Sequence, residues 1–357
     1  MIRDGWVEPN INHHMRTWNT SRSLLVVATI ALMGTAYGQK KPTASAAGPD
    51  YQTLINDAYA KFKDLKEGKN ADYIPALAEV PSGLFGVALV TTDGRVFTTG
   101  DITSMVSIQS ISKVFTLARV IEEIGAPAIQ EKVGVDATGE VFNSITAVER
   151  MRGKEINSCV NPGAIATTSL IRGGTYDEKW ANIIGTHSDF AGRALTVNEP
   201  VYQSEAATNQ RNQAIAHLLF AYDRMYWEPV KSTDLYTKQC AINVNAKDLA
   251  TMASTLANGG KNPVTQKVVV SPNSVEHTLA VMATAGLYDD SGIWLYNVGL
   301  PGKSGVGGGI IAVCPGKFGI AVISPPLDAA GNSVKAQKVI REVVEKLNAN
   351  LFLIQPK

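Results

Sequence analysis

The chain has 357 residues, of which 33 are basic and 32 acidic, so its formal net charge is +1. Residues 1–38 hold three of the basic and two of the acidic residues, which leaves 30 of each in the rest of the chain. A chain balanced in this way has no charge field with which to recruit nucleic acid or an anionic membrane, and its length suits one large domain or two closely packed ones.

An apolar segment near the start of the chain is typical of a secretory signal peptide. Residues 24–33 read LLVVATIALM, follow Arg16 and Arg22, and precede several small residues. Ten apolar residues are too few to span a bilayer, whereas the order basic, apolar, small is that of an export signal. We expect a signal peptide over 1–38, with Met15 as the alternative start, and a periplasmic mature protein without stable membrane contact. The alternatives are a retained hydrophobic anchor or, if the segment is not used, a cytoplasmic protein.

A polar linker separates this segment from the expected folded domain. The linker is 39–49 (QKKPTASAAGP), and the domain is expected over 50–357. The three cysteines are an odd number in apolar or tight sequence, which indicates packed thiols and not a disulfide framework: Cys159, Cys240 and Cys314. No histidine shares metal-site spacing with another histidine or a cysteine, so we expect no metal ion and no cofactor.

Apolar periodicity along the domain predicts strands near both ends and helices between them. A helix over 51–65 comes first, and two apolar runs in 84–99 flank Asp93-Gly94, a hairpin signal. Helices are predicted in the middle over 110–124, 163–172, 200–225, 246–258 and 273–285. Strands and a terminal helix are predicted after them, over 293–299, 309–314, 318–324 and 333–349. The fold class is therefore α+β: a mostly antiparallel sheet flanked by terminal helices, with a helical subdomain bordering a cleft.

One S-x-x-K motif occurs in the chain, Ser-Ile-Ser-Lys at 110–113. On a helical projection Lys113 falls in the apolar stripe, while Arg119 and Glu123 lie on the other side. A lysine held there is desolvated, which favours the neutral amine that can accept a proton from Ser110, one turn earlier. This helix alone allows a second interpretation equally well, in which Ser110 caps the helix and Lys113 extends to the surface.

A second element follows the predicted edge strand at 293–299. Lys303-Ser304-Gly305 precedes three glycines, 307–309, and another strand. Serine-lysine acyl enzymes pair S-x-x-K with K-[ST]-G on a sheet edge, which offers a backbone N–H to an oxyanion and a lysine or hydroxyl to the substrate carboxylate. The glycines allow close backbone approach. A plain glycine-rich turn is the alternative, but two elements in the expected order favour catalysis.

The sequence also resembles the serine-dependent glutaminases, which share the fold of β-lactamases and penicillin-binding transpeptidases. The matching stretches run in order from about residue 50 to the end of the chain: DYIPALA (72–78), SIQSISKVFTLA (107–118), NPGAIATTSLI (161–171), SEAATNQRNQAIA (204–216), LYTKQCAI (235–242), LANGG (256–260), LYDDSG (287–292) and LPGKSGVGGGI (300–310). The resemblance implies hydrolysis of L-glutamine to L-glutamate and ammonia through a γ-glutamyl ester on Ser110, with Lys113 as the base.

The same resemblance implies roles for further residues. Tyr288 would shuttle protons near the leaving amine, and the backbone N–H groups of Ser110 and Val306 would form the oxyanion hole. Residues that would bind the two ends of glutamine or line and close its pocket are Asn161, Glu205, Asn212, Tyr236 and Tyr73. A homodimer or homotetramer is implied as the assembly.

Without the resemblance, simpler interpretations of these residues would be preferred. Glu205 and Asn212 are seven residues apart, which is two turns along one helical face. Glu205 could be a surface carboxylate paired with Arg211, and Asn161 could be a helix N-cap. The two tyrosines, Tyr236 and Tyr288, would then be ordinary half-buried aromatics.

Two other functions compete with glutamine hydrolysis. A periplasmic β-lactamase or peptidoglycan-directed serine-lysine acyl hydrolase would suit the motifs and the export signal. Such enzymes normally carry S-D-N or S-x-N between the two motifs, and the nearest string here, Ser188-Asp189-Phe190, lacks the amide. A non-catalytic amino-acid sensor is the third possibility, and an intact pair of Ser110 and Lys113 argues against it.

Overall fold

The sheet of this protein draws its strands from both ends of the chain. In the computed structural model, which describes residues 48–154 and 156–356, the strands are β1 (Gly86–Thr91), β2 (Val96–Gly100), β3 (Val106–Ser107), β4 (Asn243–Val244), β5 (Gly302–Gly305), β6 (Gly309–Cys314) and β7 (Phe318–Ile323). Five of them form one antiparallel sheet in the order β2-β1-β7-β6-β5, and β3 pairs with β4 in a small separate sheet. The α+β fold class is confirmed.

The predicted hairpin is present, and its strand β1 joins the start of the chain to the distant strand β7. Gly94 has a φ of +89°, the left-handed conformation that a tight turn needs and that glycine adopts without strain. Val90 then pairs with Val96 across the turn, and on its other side β1 pairs with β7 through Leu89 and Ile320. Alternate residues of β1 enter different cores, because successive side chains of a strand point to opposite faces.

Helices cover both faces of the sheet. In chain order the described helices are α1 (Tyr51–Phe62), α2 (Pro75–Ala78), α3 (Ser112–Ile124), α4 (Ala126–Lys132), α5 (Ile145–Met151), α6 (Asn161–Leu170), α7 (Tyr176–Ala191), α8 (Glu199–Ala206), α9 (Gln210–Ala221), α10 (Pro229–Cys240), α11 (Ala246–Ala257), α12 (Pro272–Ala285), α13 (Ser291–Val298) and α14 (Val334–Lys346). The terminal helices α1 and α14 pack on one face through Ile55 and Val343, while α11 packs on the other through Leu249 and Ala253.

A helical subdomain lies between β3 and β4 in the sequence. Its apolar core joins α3, α6, α9 and α10 through Leu117, Ile165, Ile215 and Leu235, all fully buried. All three cysteines are buried free thiols, which confirms the prediction of packed thiols. This core holds α6, α9 and α10 beside the start of α3, so the cleft expected between sheet and subdomain has S-x-x-K at its floor.

Two predicted elements were wrong. Residues 293–299, predicted as a strand, belong to helix α13, which buries Trp294 and Val298 one turn apart and ends at Gly299 with a φ of +70°. A short apolar run cannot be assigned to strand or helix by periodicity alone, and the edge strand is β5. The single helix predicted over 200–225 is two helices, α8 and α9. The long helices α7 and α10 were not predicted.

The signal peptide expected over 1–38 and most of the expected linker over 39–49 lie outside the described residues. Residues 48–357 form one compact unit. Within the described part of the chain, no helix is both long and apolar enough to cross a membrane.

Candidate active site

The S-x-x-K serine lies in a 3-10 turn, Gln109–Ile111, that runs directly into α3. Gln109 has a φ of +51°, an uncommon conformation for a residue with a side chain, and such strain is often found beside reactive groups. The turn places the Ser110 hydroxyl one helical turn from Lys113, whose Nζ donates a hydrogen bond to Ser110 Oγ at 2.9 Å. The predicted serine-lysine contact is therefore present in the structure.

Lys113 is buried and does not extend to the surface as the alternative interpretation required. Its side chain is only 2% exposed, and its Nζ also donates to Asn161 Oδ1 at 2.8 Å. Burial lowers the pKa of Lys113 to about 8, because a charged ammonium is poorly solvated there. About a tenth of the amine is thus neutral at pH 7, and that fraction, which can accept a proton, grows as the pH rises.

Close backbone contact brings β5 against the serine turn. A Cβ atom on Gly305 would lie 2.9 Å from the Ile108 carbonyl oxygen, and one on Gly307 would lie 2.6 Å from that of Ser107. Only glycine tolerates these distances, so the predicted close approach of the glycine-rich segment is confirmed. As a result Val306, between the two glycines, lines the same pocket as Ser110.

The Lys303 side chain does not face the substrate pocket, contrary to the expectation for a K-[ST]-G lysine. It is fully buried, and its Nζ donates to the carbonyl oxygens of Gly286 at 2.9 Å and Ser304 at 2.8 Å. The ammonium also lies 4.4 Å from the centroid of the Tyr288 ring, and burial lowers the pKa of Lys303 to about 7. The Ser304 side chain is fully buried as well, so neither group is placed to meet a substrate carboxylate.

A chain of polar contacts leads from Lys113 into the pocket. Asn161 Oδ1 accepts from Lys113 Nζ and from the Tyr236 hydroxyl at 3.0 Å, while Asn161 Nδ2 donates to Asn212 Oδ1 at 3.0 Å. Asn161 is the first residue of α6 and not its N-cap, which is Val160. The alternative interpretation of Asn161 as an N-cap is therefore wrong, and its side chain is turned into the site.

Glu205 lines the same pocket and is half-buried. Its carboxylate accepts a hydrogen bond from Gln109 Nε2, and burial raises its pKa to about 7. The pairing of Glu205 with Arg211 considered above is absent, since Arg211 Nε donates to the Asn143 carbonyl oxygen at 2.9 Å. The argument from two turns of one helix was wrong, because Glu205 lies in the last turn of α8 and Asn212 lies on α9. Both residues line the pocket nevertheless.

The two remaining tyrosines differ in burial and line different cavities. Tyr288 is buried with a φ of +54°, and its hydroxyl donates to the Ser304 carbonyl oxygen at 3.2 Å. Burial raises the pKa of Tyr288, and hydrogen bonding with the Ser110 side chain opposes that rise. Tyr288 lies behind the serine and lines a neighbouring cavity, whereas Tyr73 is 55% exposed and lines the substrate pocket.

These residues surround a cavity of about 290 Å³, a size suited to a small polar metabolite. The residues expected in the site that line it are Tyr73, Ser110, Asn161, Glu205, Asn212, Tyr236 and Val306. Lining residues that the sequence analysis did not identify include Gln109, Phe142, Asn209, Arg211 and Cys240. Gln109 and Arg211 directly precede Ser110 and Asn212, and Asn209 lies in the same matching stretch as Arg211. Their position in these stretches was the available signal.

Comparison with known proteins agrees with this geometry. The glutaminase family model matches residues 68–352. The chain belongs to the glutaminase family. A glutaminase from Colwellia psychrerythraea is 54% identical over 304 residues, which cover 85% of this chain and 98% of the relative.

Solved structures of glutaminases also match. That of the probable glutaminase ybaS has 48% identity and a TM-score of 0.83, covering 84% of this chain and 97% of its own. The glutamate form of Mglu has 34% identity and a TM-score of 0.81, covering 86% of this chain and 71% of its own. This glutaminase is therefore an amidohydrolase that acts on glutamine, and its α+β fold is that of its structural relatives.

Proposed function

We propose that this glutaminase hydrolyses L-glutamine to L-glutamate and ammonia through an acyl-enzyme on Ser110, with Lys113 as the general base. The observation that carries the proposal is the 2.9 Å contact between the buried Lys113 Nζ and Ser110 Oγ at the floor of the pocket. A lysine is a competent base only when its ammonium is destabilised, and burial supplies that effect.

In the first half-reaction, neutral Lys113 accepts the Ser110 proton while Oγ forms a bond to the amide carbon of the substrate. The backbone N–H groups of Ser110 and Val306 stabilise the negative charge that develops on the carbonyl oxygen. Tyr288, next to Ser110, relays a proton from Lys113 to the amide nitrogen, the carbon–nitrogen bond breaks, and ammonia leaves. Lys113 is neutral again, and a γ-glutamyl ester remains on Ser110.

In the second half-reaction, a water molecule attacks the ester carbon and gives a proton to Lys113. The bond from the carbon to Ser110 Oγ breaks, and Lys113 returns the proton to that oxygen. Glutamate is released and the enzyme is regenerated. The same base thus serves both steps, which is consistent with the absence of any histidine from the pocket-lining residues of the described chain.

Substrate recognition requires partners for a charged ammonium and a carboxylate. We assign the ammonium to Glu205, the one carboxylate among the described residues that line the pocket. Asn161 and Asn212 supply amide groups for the α-carboxylate, while Tyr236 and Tyr73 complete the walls. In the empty pocket the pKa of Glu205 is about 7. Binding should lower this pKa, because the substrate ammonium favours the ionised carboxylate.

Ammonia release from L-glutamine by the purified protein tests the proposal. Glutamine-dependent release that is lost in Ser110→Ala, together with a mass increase of one glutamyl group on the Ser110 peptide during turnover, is the expected result. Release that persists in Ser110→Ala would exclude the covalent route. Acylation by a penicillin-type compound without ammonia release from glutamine would instead support the β-lactam-directed alternative, which membership of the glutaminase family does not favour.

Two further properties belong to the proposal. The basic, apolar and small order around 24–33 supports export to the periplasm with removal of residues up to about 38, and N-terminal sequencing of the native protein tests it. An apolar segment retained in a membrane fraction would indicate an anchor instead. The resemblance to serine-dependent glutaminases supports a homodimer or homotetramer, which light scattering on the purified mature chain distinguishes from a monomer.

A further inference from the structure

A carboxylate outside the pocket joins three helices of the subdomain. Asp234, on α10, accepts one hydrogen bond from the Tyr202 hydroxyl of α8 at 2.7 Å and a second from the Tyr176 hydroxyl of α7. Each phenol uses a different carboxylate oxygen. Burial is the larger cause and the hydrogen bond to Asp234 the smaller one of a rise in the pKa of Tyr202 to about 12. The Tyr202 hydroxyl therefore remains a donor throughout the neutral range.

Aromatic rings hold a lysine next to this carboxylate. Lys238, one turn after Asp234, places its Nζ 4.6 Å from the ring centroid of Trp180, 5.5 Å from that of Tyr176 and 6.0 Å from that of Tyr202. A cation over aromatic faces is attracted to them. The two tyrosines are therefore held at the hydroxyl by Asp234 and at the ring by Lys238, which restricts where each can lie.

Helix α8 has few other attachments for an element that ends at the substrate pocket. It has eight residues and buries one of them, Val201. The Tyr202 bond to Asp234 is the one side-chain hydrogen bond between α8 and α10 in the described chain. Elsewhere on α8, Ser204 accepts a longer bond, 3.3 Å, from the Ala76 N–H, and Glu205 itself accepts one from Gln109 Nε2. Glu205 follows Tyr202 by three residues, so the two side chains lie on neighbouring positions of one face.

We infer that Tyr202 and Asp234 are positioning residues for the glutaminase reaction: their hydrogen bond fixes α8 so that the Glu205 carboxylate meets the substrate ammonium. This inference rests on the proposed role of Glu205. Tyr176 bonds the same carboxylate but belongs to α7, which carries no pocket-lining residue in the described chain. The two tyrosines therefore differ in what they position, although they share one acceptor.

That difference provides a matched pair of variants in the full chain. Tyr202→Phe and Tyr176→Phe each remove one hydroxyl from the same carboxylate, and both should lower the melting temperature to a similar extent. Tyr202→Phe should raise KM for L-glutamine about tenfold, with kcat within about twofold of the wild type, since a hydrogen bond to a charged group is worth roughly a tenfold change or more. Tyr176→Phe should leave KM within about twofold.

A second comparison uses inhibitors that differ only in the ammonium. L-Glutamate carries it and glutarate does not, so Tyr202→Phe should weaken competitive inhibition by L-glutamate about tenfold and leave inhibition by glutarate unchanged. Asp234→Asn should reproduce the rise in KM. Adding Asp234→Asn to Tyr202→Phe should change KM by no more than about twofold further, because both substitutions remove the same link.

The outcomes separate this inference from the proposed function. A wild-type protein without glutaminase activity would overturn both. If Glu205→Gln raises KM for glutamine while Tyr202→Phe and Tyr176→Phe give equal KM values, the role of Glu205 stands and the positioning role is overturned. Equal loss of L-glutamate and glutarate inhibition in Tyr202→Phe would also overturn it, since a general disturbance of the pocket does not select for the ammonium.

Discussion

Lys113 has no carboxylate partner within salt-bridge distance in the described structure, which is unusual for a fully buried lysine. Its hydrogen bonds go to a hydroxyl and an amide oxygen, groups that accept from an ammonium but do not neutralise it. A carboxylate in direct contact with Nζ would raise the pKa of Lys113, so the side chain would stay protonated at neutral pH and could not act as a base. The network of Ser110, Lys113 and Asn161 therefore favours proton transfer over a stable ion pair.

The first prediction concerns this pair. Ser110→Ala and Lys113→Ala should each lower kcat/KM by about a thousandfold or more, because nucleophile and base act as a unit. The double variant should be little worse than either single one. Lys113→Arg should not restore activity, since a guanidinium does not lose its proton near neutral pH. Steady-state ammonia release measures all four, and a fully active Lys113→Arg would show that another group is the base.

The second prediction concerns pH. Glu205 must be ionised to bind the substrate ammonium, and its pKa is about 7. Lys113 must be neutral to accept the Ser110 proton, and its pKa is about 8. The kcat/KM for glutamine should therefore rise with pH through both values and level off above about pH 9. Lys303 also has a pKa of about 7, so Glu205→Gln is needed to assign the lower step.

In that control the step near pH 7 should disappear while the step near pH 8 remains. A profile that falls as pH rises from 6 to 8 would contradict a neutral lysine as the base, because the sign of the dependence follows directly from the form that reacts.

The third prediction concerns Glu205 itself. Glu205→Gln keeps the size of the side chain and its contact with Gln109, so the melting temperature should change little. KM for L-glutamine should rise by at least about thirtyfold, because an ammonium buried without its counter-ion loses several kcal/mol. An unchanged KM would remove Glu205 from the site.

At the scale of elements, strand β5 and the serine turn depend on two glycines for their contact. Periodicity predicted β1, β2, β6 and β7, because alternating or continuous apolar residues next to turn signals are local features. Periodicity failed for α13, whose apolar run suits either a strand or a helix. It also predicted a single helix where the structure has two, α8 and α9. The break at 207–209 carries no proline or glycine. Only the tertiary contacts of α8 and α9 explain why the helix ends there.

The fourth prediction tests the contact between β5 and the serine turn. Gly307→Ala places a methyl group 2.6 Å from the Ser107 carbonyl oxygen, so the turn after β5, which carries Val306, must move away from Ser110. We expect kcat to fall at least tenfold, with a loss of stability of roughly 1–3 kcal/mol.

The control is Gly185→Ala, at an exposed position of α7 where a Cβ meets no atom within 4 Å. It should leave kcat unchanged and raise stability by roughly 0.5–1 kcal/mol, since alanine is the better helix former. Chemical denaturation and steady-state kinetics measure both variants. Full activity in Gly307→Ala would show that the position of Val306 is unimportant.

For the whole molecule, the pocket is assembled from parts that are far apart in the sequence. Val306 comes from the sheet, Ser110 from the turn before α3, and Asn161 and Glu205 from the helical subdomain. The residues that the resemblance implied lie in or beside one site, because each was assigned from a stretch that matches the family and not from local periodicity. Gln109 and Arg211 were not predicted to line the pocket, since that depends on the direction of their side chains. The predicted orientation of the Lys303 side chain was wrong for the same reason.

The last prediction uses this assembly. A ligand that contacts both the sheet and the helical subdomain binds only when the two are together, so it stabilises the native state of the whole domain by mass action. L-Glutamate at 100 times its dissociation constant should add about 2.7 kcal/mol to the free energy of unfolding, seen as a higher melting temperature. Glutarate at the same concentration should have a smaller effect, because it lacks the ammonium for Glu205. In Glu205→Gln the two ligands should become equivalent; a wild-type melting temperature that responds equally to both would show that the pocket does not distinguish the ammonium.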